Sequence, residues 1–156
     1  MKTLTLAILL LLQIVDVKSQ YIGFDELLKF HELDDSEITQ KLLEKDWTYR
    51  GITKEKVVGV TEVVEWCHSY AYTNELGSVC RQFLTVYKGD NKQIAYDFEN
   101  YKHYLQIVKR IETLGLKKVK VTAGTNSIYT IYHGKRYSIS TSVSNSNRYV
   151  IRISKL

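Results

Sequence analysis

Two cysteines, Cys67 and Cys80, are the residues most able to do chemistry in this chain of 156 residues. An even count in a chain that starts like an exported one points to a disulfide, with two buried free thiols as the alternative. The pair flanks a turn expected near Thr73 to Gly77, so a bridge would cross neighbouring strands. A nucleophilic cysteine needs a base beside it, and His68 should point to the opposite face of the strand from Cys67. The four histidines are His31, His68, His103 and His133. None is spaced from another as metal ligands on a helix or in a Cys/His knuckle would be. No Gly-x-Ser-x-Gly elbow occurs. Asp34, Asp35, Glu37, Glu62 and Glu65 fit caps and surface charges, and paired glycosidase carboxylates follow no spacing that would single them out. The expectation is therefore no catalytic residue, no metal and no cofactor. A hydrolase with an unrecognised site is the alternative.

Tyrosine is the compositional signal: the chain has twelve. Tyr suits half-buried strands. It also makes stiff, amphipathic recognition surfaces at small entropic cost. Trp66, Tyr70 and Tyr72 share one face of an expected strand and form the first candidate patch. Tyr129 and Tyr132 form the second.

Helices and strands must position these side chains. GFDELLKFHEL places Phe24, Leu27 and Leu28 on one face of a short helix. Asp34 to Glu37 has the form of a capping box. The helix it opens carries Ile38, Leu42 and Leu43 and should stop near Lys45-Asp46. From Trp47 the period becomes alternating, with Trp47, Tyr49 and Gly51 on one face. Val57 to Tyr72 reads as a long strand, with Val64, Trp66, His68, Tyr70 and Tyr72 on one side and Val63, Cys67 and Ala71 on the other. A turn at Glu75-Leu76-Gly77, a strand over Val79 to Tyr87 and a short strand with Ile94, Tyr96 and Phe98 follow. Asn100 to Leu114 is helical in period, with a stripe of Tyr101, Tyr104, Leu105, Val108, Ile111 and Leu114. Gly115 stands where a left-handed cap belongs. Four strands follow. They are marked by Val119 and Val121, by Ile128 to Tyr132, by Tyr137 to Val143, and by Tyr149 to Ile153. The turns expected between them are Ala123 to Asn126, His133 to Lys135 and Ser144 to Asn147. The fold class is α+β. Its expected plan is tandem units of a helix plus a four-stranded antiparallel sheet, over 24–98 and 100–155, in a single domain from 20 to 156.

The opening MKTLTLAILLLLQIVDVKSQ has Lys2, an apolar run from Leu4 to Val15, and smaller residues before Gln20. These are the parts of a signal peptide over 1–19. The run is short for a membrane-spanning helix, and no integral membrane segment is expected in the mature chain. The expected location is outside the cytoplasm, periplasmic or secreted. A formal charge of +5 is spread along the chain and changes little when Lys2, Asp16 and Lys18 leave with the leader. A nucleic-acid binder concentrates its charge on one stripe, so that partner class is not expected. The expected partner is an unidentified protein or envelope component.

The order of FDELLKF, KLLEKDWTYRG, aromatic strands, NYKHYLQIVKRIETLG and a strand meander resembles small uncharacterised exported proteins of Gram-negative bacteria. Its doubled plan resembles the beta-lactamase-inhibitor-protein-like fold. The bacterial proteins end a helix in Lys-Gly-Trp; here Lys45-Asp46-Trp47 stands there. Inhibitors of that fold bind an enzyme through a sheet surface, so the resemblance implies a binding module without catalysis. A local stretch, Lys120-Val121-Thr122-Ala123-Gly124, resembles the Gln-x-Val-x-Gly hairpin of cystatins. That resemblance implies an inhibitory loop against cysteine proteases. Lys120 replaces the Gln, and a chain without proline has no counterpart of the family's Pro-Trp loop.

Overall fold

A computed structural model describes residues 20–53, 59–73 and 77–156, without the side chains of 69–73 and 77–79. The expected leader at 1–19 and Glu75-Leu76 of the expected turn lie outside the described residues.

Helix α1, Phe24–Glu32, forms because Phe24, Leu27, Phe30 and His31 fall on one side of a turn of 3.6 residues and are buried there. Lys92 closes its end, donating to the carbonyls of Phe30 at 3.3 Å and Leu33 at 2.5 Å. A cation at a helix C-terminus satisfies orphan carbonyls and opposes the dipole. Helix α2, Asp35–Leu43, starts with the expected capping box. Asp34 Oδ1 accepts from the Glu37 N–H at 2.9 Å, and Glu37 Oε2 accepts from the Asp34 N–H at 3.0 Å. Such a cap stabilises by about 1 kcal/mol. Ile38 and Leu42 define the buried side, and Leu43, one step of roughly 100° further round, is exposed rather than packed. Asp46 takes φ 62°, which turns the chain out of the helix.

Strands β1 (Thr48–Thr53), β2 (Val60–Thr73), β3 (Gly77–Gly89) and β4 (Gln93–Phe98) follow, then helix α3 (Tyr101–Thr113), then β5 (Lys117–Ala123), β6 (Ser127–His133), β7 (Tyr137–Ser144) and β8 (Tyr149–Lys155). All pair in one eight-stranded antiparallel sheet of order β1-β2-β3-β4-β8-β7-β6-β5. The long-range seam is β4 against β8, with Tyr96 opposite Ile151. Asn100 caps α3 through the His103 N–H at 2.9 Å, and Gly115 ends it at φ 74°. A residue with a Cβ adopts that conformation at a cost.

The helices lie on one face of the sheet. α1 packs over β4 and β8, and α2 packs over β1 and β2. α3 reaches β7 and β8 through Tyr104, whose hydroxyl meets Thr141 Oγ1 at 3.3 Å and whose ring stacks on Tyr149 at 5.0 Å. Between the layers sits one core of Phe30, Leu42, Trp47, Trp66, Leu84, Tyr96, Phe98, Ile111, Ile151 and their neighbours. Each large side chain buried there contributes about 1.5–3 kcal/mol.

Two local expectations are corrected. Gly51 does not share the face of Trp47 and Tyr49, because the register shifts between Tyr49 and Gly51: Tyr49 lies opposite Trp66 on the helix-facing side, where Trp47 is buried, and Gly51 lies opposite Glu65. In α3 the buried residues are Ile107 and Ile111, and Tyr101, Leu105 and Leu114 of the expected stripe are exposed. The helix is rotated so that only one flank of its apolar stripe meets the sheet.

The cysteines are bridged, with Cα atoms 5.7 Å apart. Cys67 lies opposite Phe83, and Cys80 lies opposite Ser69. The bond therefore runs diagonally between β2 and β3.

Candidate functional site

Alternation sorts every strand residue to one of two faces. Pairing registers then line up the helix-free face in rows. One row runs Tyr129, Ser142, Val150, Asp97, Phe83 and Cys67. The next runs Ile131, Ser140, Arg152, Ala95, Thr85 and Glu65. Small side chains such as Ala95 and Thr85 are buried there, with no second layer over them among the described residues.

A depression of about 200 Å3 opens on this face, lined by Tyr129, Ser140, Ser142, Val150 and Arg152. Serines on alternate positions of β7 keep its floor low, and the long side chains of Tyr129 and Arg152 rise at its margins. Tyr129 is 46% exposed. Arg152 makes no ion pair or side-chain hydrogen bond among the described residues. Its neighbour Arg148 is spoken for. Arg148 Nη2 is 2.7 Å from Asp97 Oδ1, and its Nη1 donates to Glu99 Oε1 at 2.9 Å. Burial pushes the Asp97 carboxyl above its ordinary range, and Arg148 opposes that shift. The depression thus offers hydroxyls that donate and accept, one ring, and one unpaired planar cation. This chemistry suits polar or acidic groups.

Trp66 belongs to the core, not to a free face. It is 1% exposed, and its Nε1 donates to Thr39 Oγ1 of α2 at 3.0 Å. Tyr132 is 2% exposed, on the same helix-covered side. For Trp66 and Tyr132 the expected aromatic patch is corrected on a parity argument: even-numbered residues of β2 from Val64 to His68, and those of β6, face the helices. Tyr70 falls at a register shift of β2 and Tyr72 pairs with Ser78, but their side chains lie outside the described residues. Tyr129 has the opposite parity and stays available.

The cystatin-like stretch forms the β5–β6 hairpin. Lys120, Val121, Thr122 and Ala123 lie in β5, and the turn begins at Gly124 rather than Ala123. The Gly124 N–H donates to the Ser127 carbonyl at 2.8 Å. The Asn145 N–H donates to Asn126 at 2.9 Å, which ties the hairpin tip to the β7–β8 turn.

Sequence reasoning passed over Ser140, Ser142, Val150 and Arg152. The signal was present in β7, where Tyr137, Ile139, Thr141 and Val143 mark the covered side. The complementary positions are all serine: Ser138, Ser140, Ser142 and Ser144.

Among the described residues, no group of three His, Cys, Asp or Glu side chains is placed to hold a metal ion. Among the same residues, no helix is long and apolar enough to cross a membrane. Comparison with family models, curated proteins and solved structures gave no match to this chain.

Proposed function

We propose that the chain is an exported, non-enzymatic binding module that holds a protein or envelope partner on the helix-free face of its sheet. One observation carries this: Tyr129, Ser140, Ser142 and Arg152 form a polar depression on a sheet face that none of the described helices covers. A small set of serines with Tyr and Arg is the composition of adaptable recognition surfaces. The leader expected over 1–19 and the disulfide agree with an oxidising location. The element order supports a tandem plan like that of beta-lactamase-inhibitor proteins. Each set of four strands follows helix, and the last strand of each set meets the other at the centre.

The test is capture from the native envelope with wild-type protein and with a Tyr129→Ala, Arg152→Glu double variant. The expected result is that a captured component is lost with the double variant and kept with Leu43→Ala on the helix side. A component retained equally by both variants would remove this face from the proposal.

A second reading is an inhibitory hairpin at Lys120 to Gly124, favoured by the exposure of the whole of β5. An assay against a papain-like protease decides it. Full protease activity at high micromolar excess of the protein excludes it.

A further inference from the structure

A second concavity lies where α3 begins, away from the depression on the helix-free face. It measures about 640 Å3 and is lined by Tyr21, Arg81, Gln82, Glu99, Asn100, Tyr101 and Lys102. Small-molecule sites range over roughly 300–1,000 Å3. We propose that this cleft binds a small organic carboxylate.

The buried amide of Gln82 carries the inference. Gln82 is 2% exposed. The Ile22 N–H donates to the Tyr96 hydroxyl oxygen at 3.3 Å. The Tyr96 proton then goes to Gln82 Oε1 at 2.6 Å. That bond fixes which way the amide points. Its NH2 end is left without a partner among the described residues, yet it is not one of the fully enclosed unsatisfied atoms. Gln82 lines the cleft, so the nitrogen is presented to it. An acceptor for that donor must come from water or from a ligand entering the cleft.

The surroundings supply positive charge and more donors. α3 is 13 residues long and starts at the cleft. The N–H groups of Tyr101 and Lys102 have no intrahelical partner and lie at the positive end of the helix dipole. Asn100 already serves the His103 N–H. Arg81 is the extra residue of a bulge, because Gln82 pairs with His68 and Cys80 with Ser69. A bulge re-aims a side chain, and here Arg81 joins Gln82 on the lining although the two adjoin in sequence. The disulfide at Cys80 holds the chain beside that bulge. Arg81 and Lys102 form no ion pair among the described residues. Glu99 also lines the cleft, but Arg148 takes its carboxylate at 2.9 Å.

A planar carboxylate matches this set. Its two oxygens meet the Arg81 fork and the Gln82 amide, with Lys102 and the first-turn N–H groups beside them. Tyr21 and Tyr101 offer rings to an apolar body. The site is independent of the partner face, so a Tyr129→Ala change leaves it untouched.

The experiment is an NMR titration of the isotope-labelled protein at constant ionic strength. The ligands are sodium benzoate, neutral benzamide and inorganic phosphate. Benzoate is expected to shift the Gln82 side-chain amide and the Tyr101 and Lys102 backbone N–H signals saturably, and benzamide to leave them unshifted. Arg81→Ala and Lys102→Ala should each weaken benzoate roughly 10-fold, the loss expected for a charged hydrogen bond. Tyr129→Ala should bind as wild type. Three results overturn the proposal: no saturable shift in the millimolar range, an equal response to benzamide, or phosphate binding in preference to benzoate.

Discussion

β2 and β5 are both strands of one sheet, and both alternate apolar with polar residues, but their surroundings differ. Val64 and Trp66 of β2 are buried beneath α2. Every residue of β5 is exposed, including Val119 at 52% and Val121 at 58%. The difference comes from the helix layer. A helix is about 10 Å wide and covers roughly two strands spaced about 4.8 Å apart. α1 lies over the central seam, α2 lies over β1 and β2, and α3 remains for β7 and β8. β5 is the outermost strand on that side and receives no cover from the described helices. Its lysines, Lys117, Lys118 and Lys120, charge the open edge, and charged edges discourage pairing with another chain. Alternation in a strand thus tells which residues share a face. It does not tell whether a helix reaches that face.

The largest effect should separate the two strands. Trp66→Ala is expected to cost about 3–5 kcal/mol, because a large buried side chain leaves a cavity. Val121→Ala is expected to stay within about 0.5 kcal/mol, as exposed substitutions do. Urea denaturation of both variants measures the contrast, and similar losses would break it.

The disulfide lies in the covered half. A Cys67→Ser, Cys80→Ser double variant should lose about 3 kcal/mol, since the bond restricts the unfolded chain. Hydrogen exchange should then quicken in β2 and β3 before β5 and β6. Uniform quickening would show that the bridge steadies the whole sheet instead.

Glu32 links the two halves, because α1 carries it to β7 and β8. It accepts from the Tyr137 hydroxyl at 2.6 Å and from Lys155 Nζ at 3.1 Å. The tyrosine hydrogen bond first, then the lysine, hold its carboxyl down to about 2 from an ordinary 4.5. The unfolded chain takes up that proton first as pH falls. The stability from this contact is therefore full above about 4.5 and is lost progressively toward 2. Across that window the urea midpoint should fall further for wild type than for Glu32→Gln. Parallel slopes would mean that the clamp does not form in solution.

A small effect of opposite sign sits at the first helix-to-strand junction. Asp46→Gly should raise stability by up to about 1 kcal/mol, because Asp46 holds φ 62° against its Cβ. A thermal melt of this variant sharpens the comparison. A fall in the melting temperature would mean that the Asp46 side chain has a role beyond its backbone.

Much of the fold was legible. The capping box at Asp34, the cap at Gly115, and the alternation of β7 and β8 are local features, encoded within a few residues. Trp66 and Tyr132 show where legibility stopped. Large aromatic residues on a strand serve a core and a recognition surface equally well, and composition does not choose between them. Leu105 and Leu114 show the same limit on a helix: an apolar stripe fits a covered flank or a bare one. Gln82 and Arg81 were invisible as a pair, because neighbours in a regular strand point to opposite faces and only the bulge brings both to the cleft.

The sequence by itself determined the element types, most of their ends and most of the strand faces, and left Cys67 and Cys80 as either a cross-strand bridge or two thiols. These depend on backbone preferences and periodicity over short spans. Tertiary structure alone decided that β4 meets β8, that three helices share one face, and that Tyr129 stays open while Tyr132 is closed. Those outcomes rest on contacts between residues far apart in the chain, where burial of one face against a particular helix decides what water still reaches.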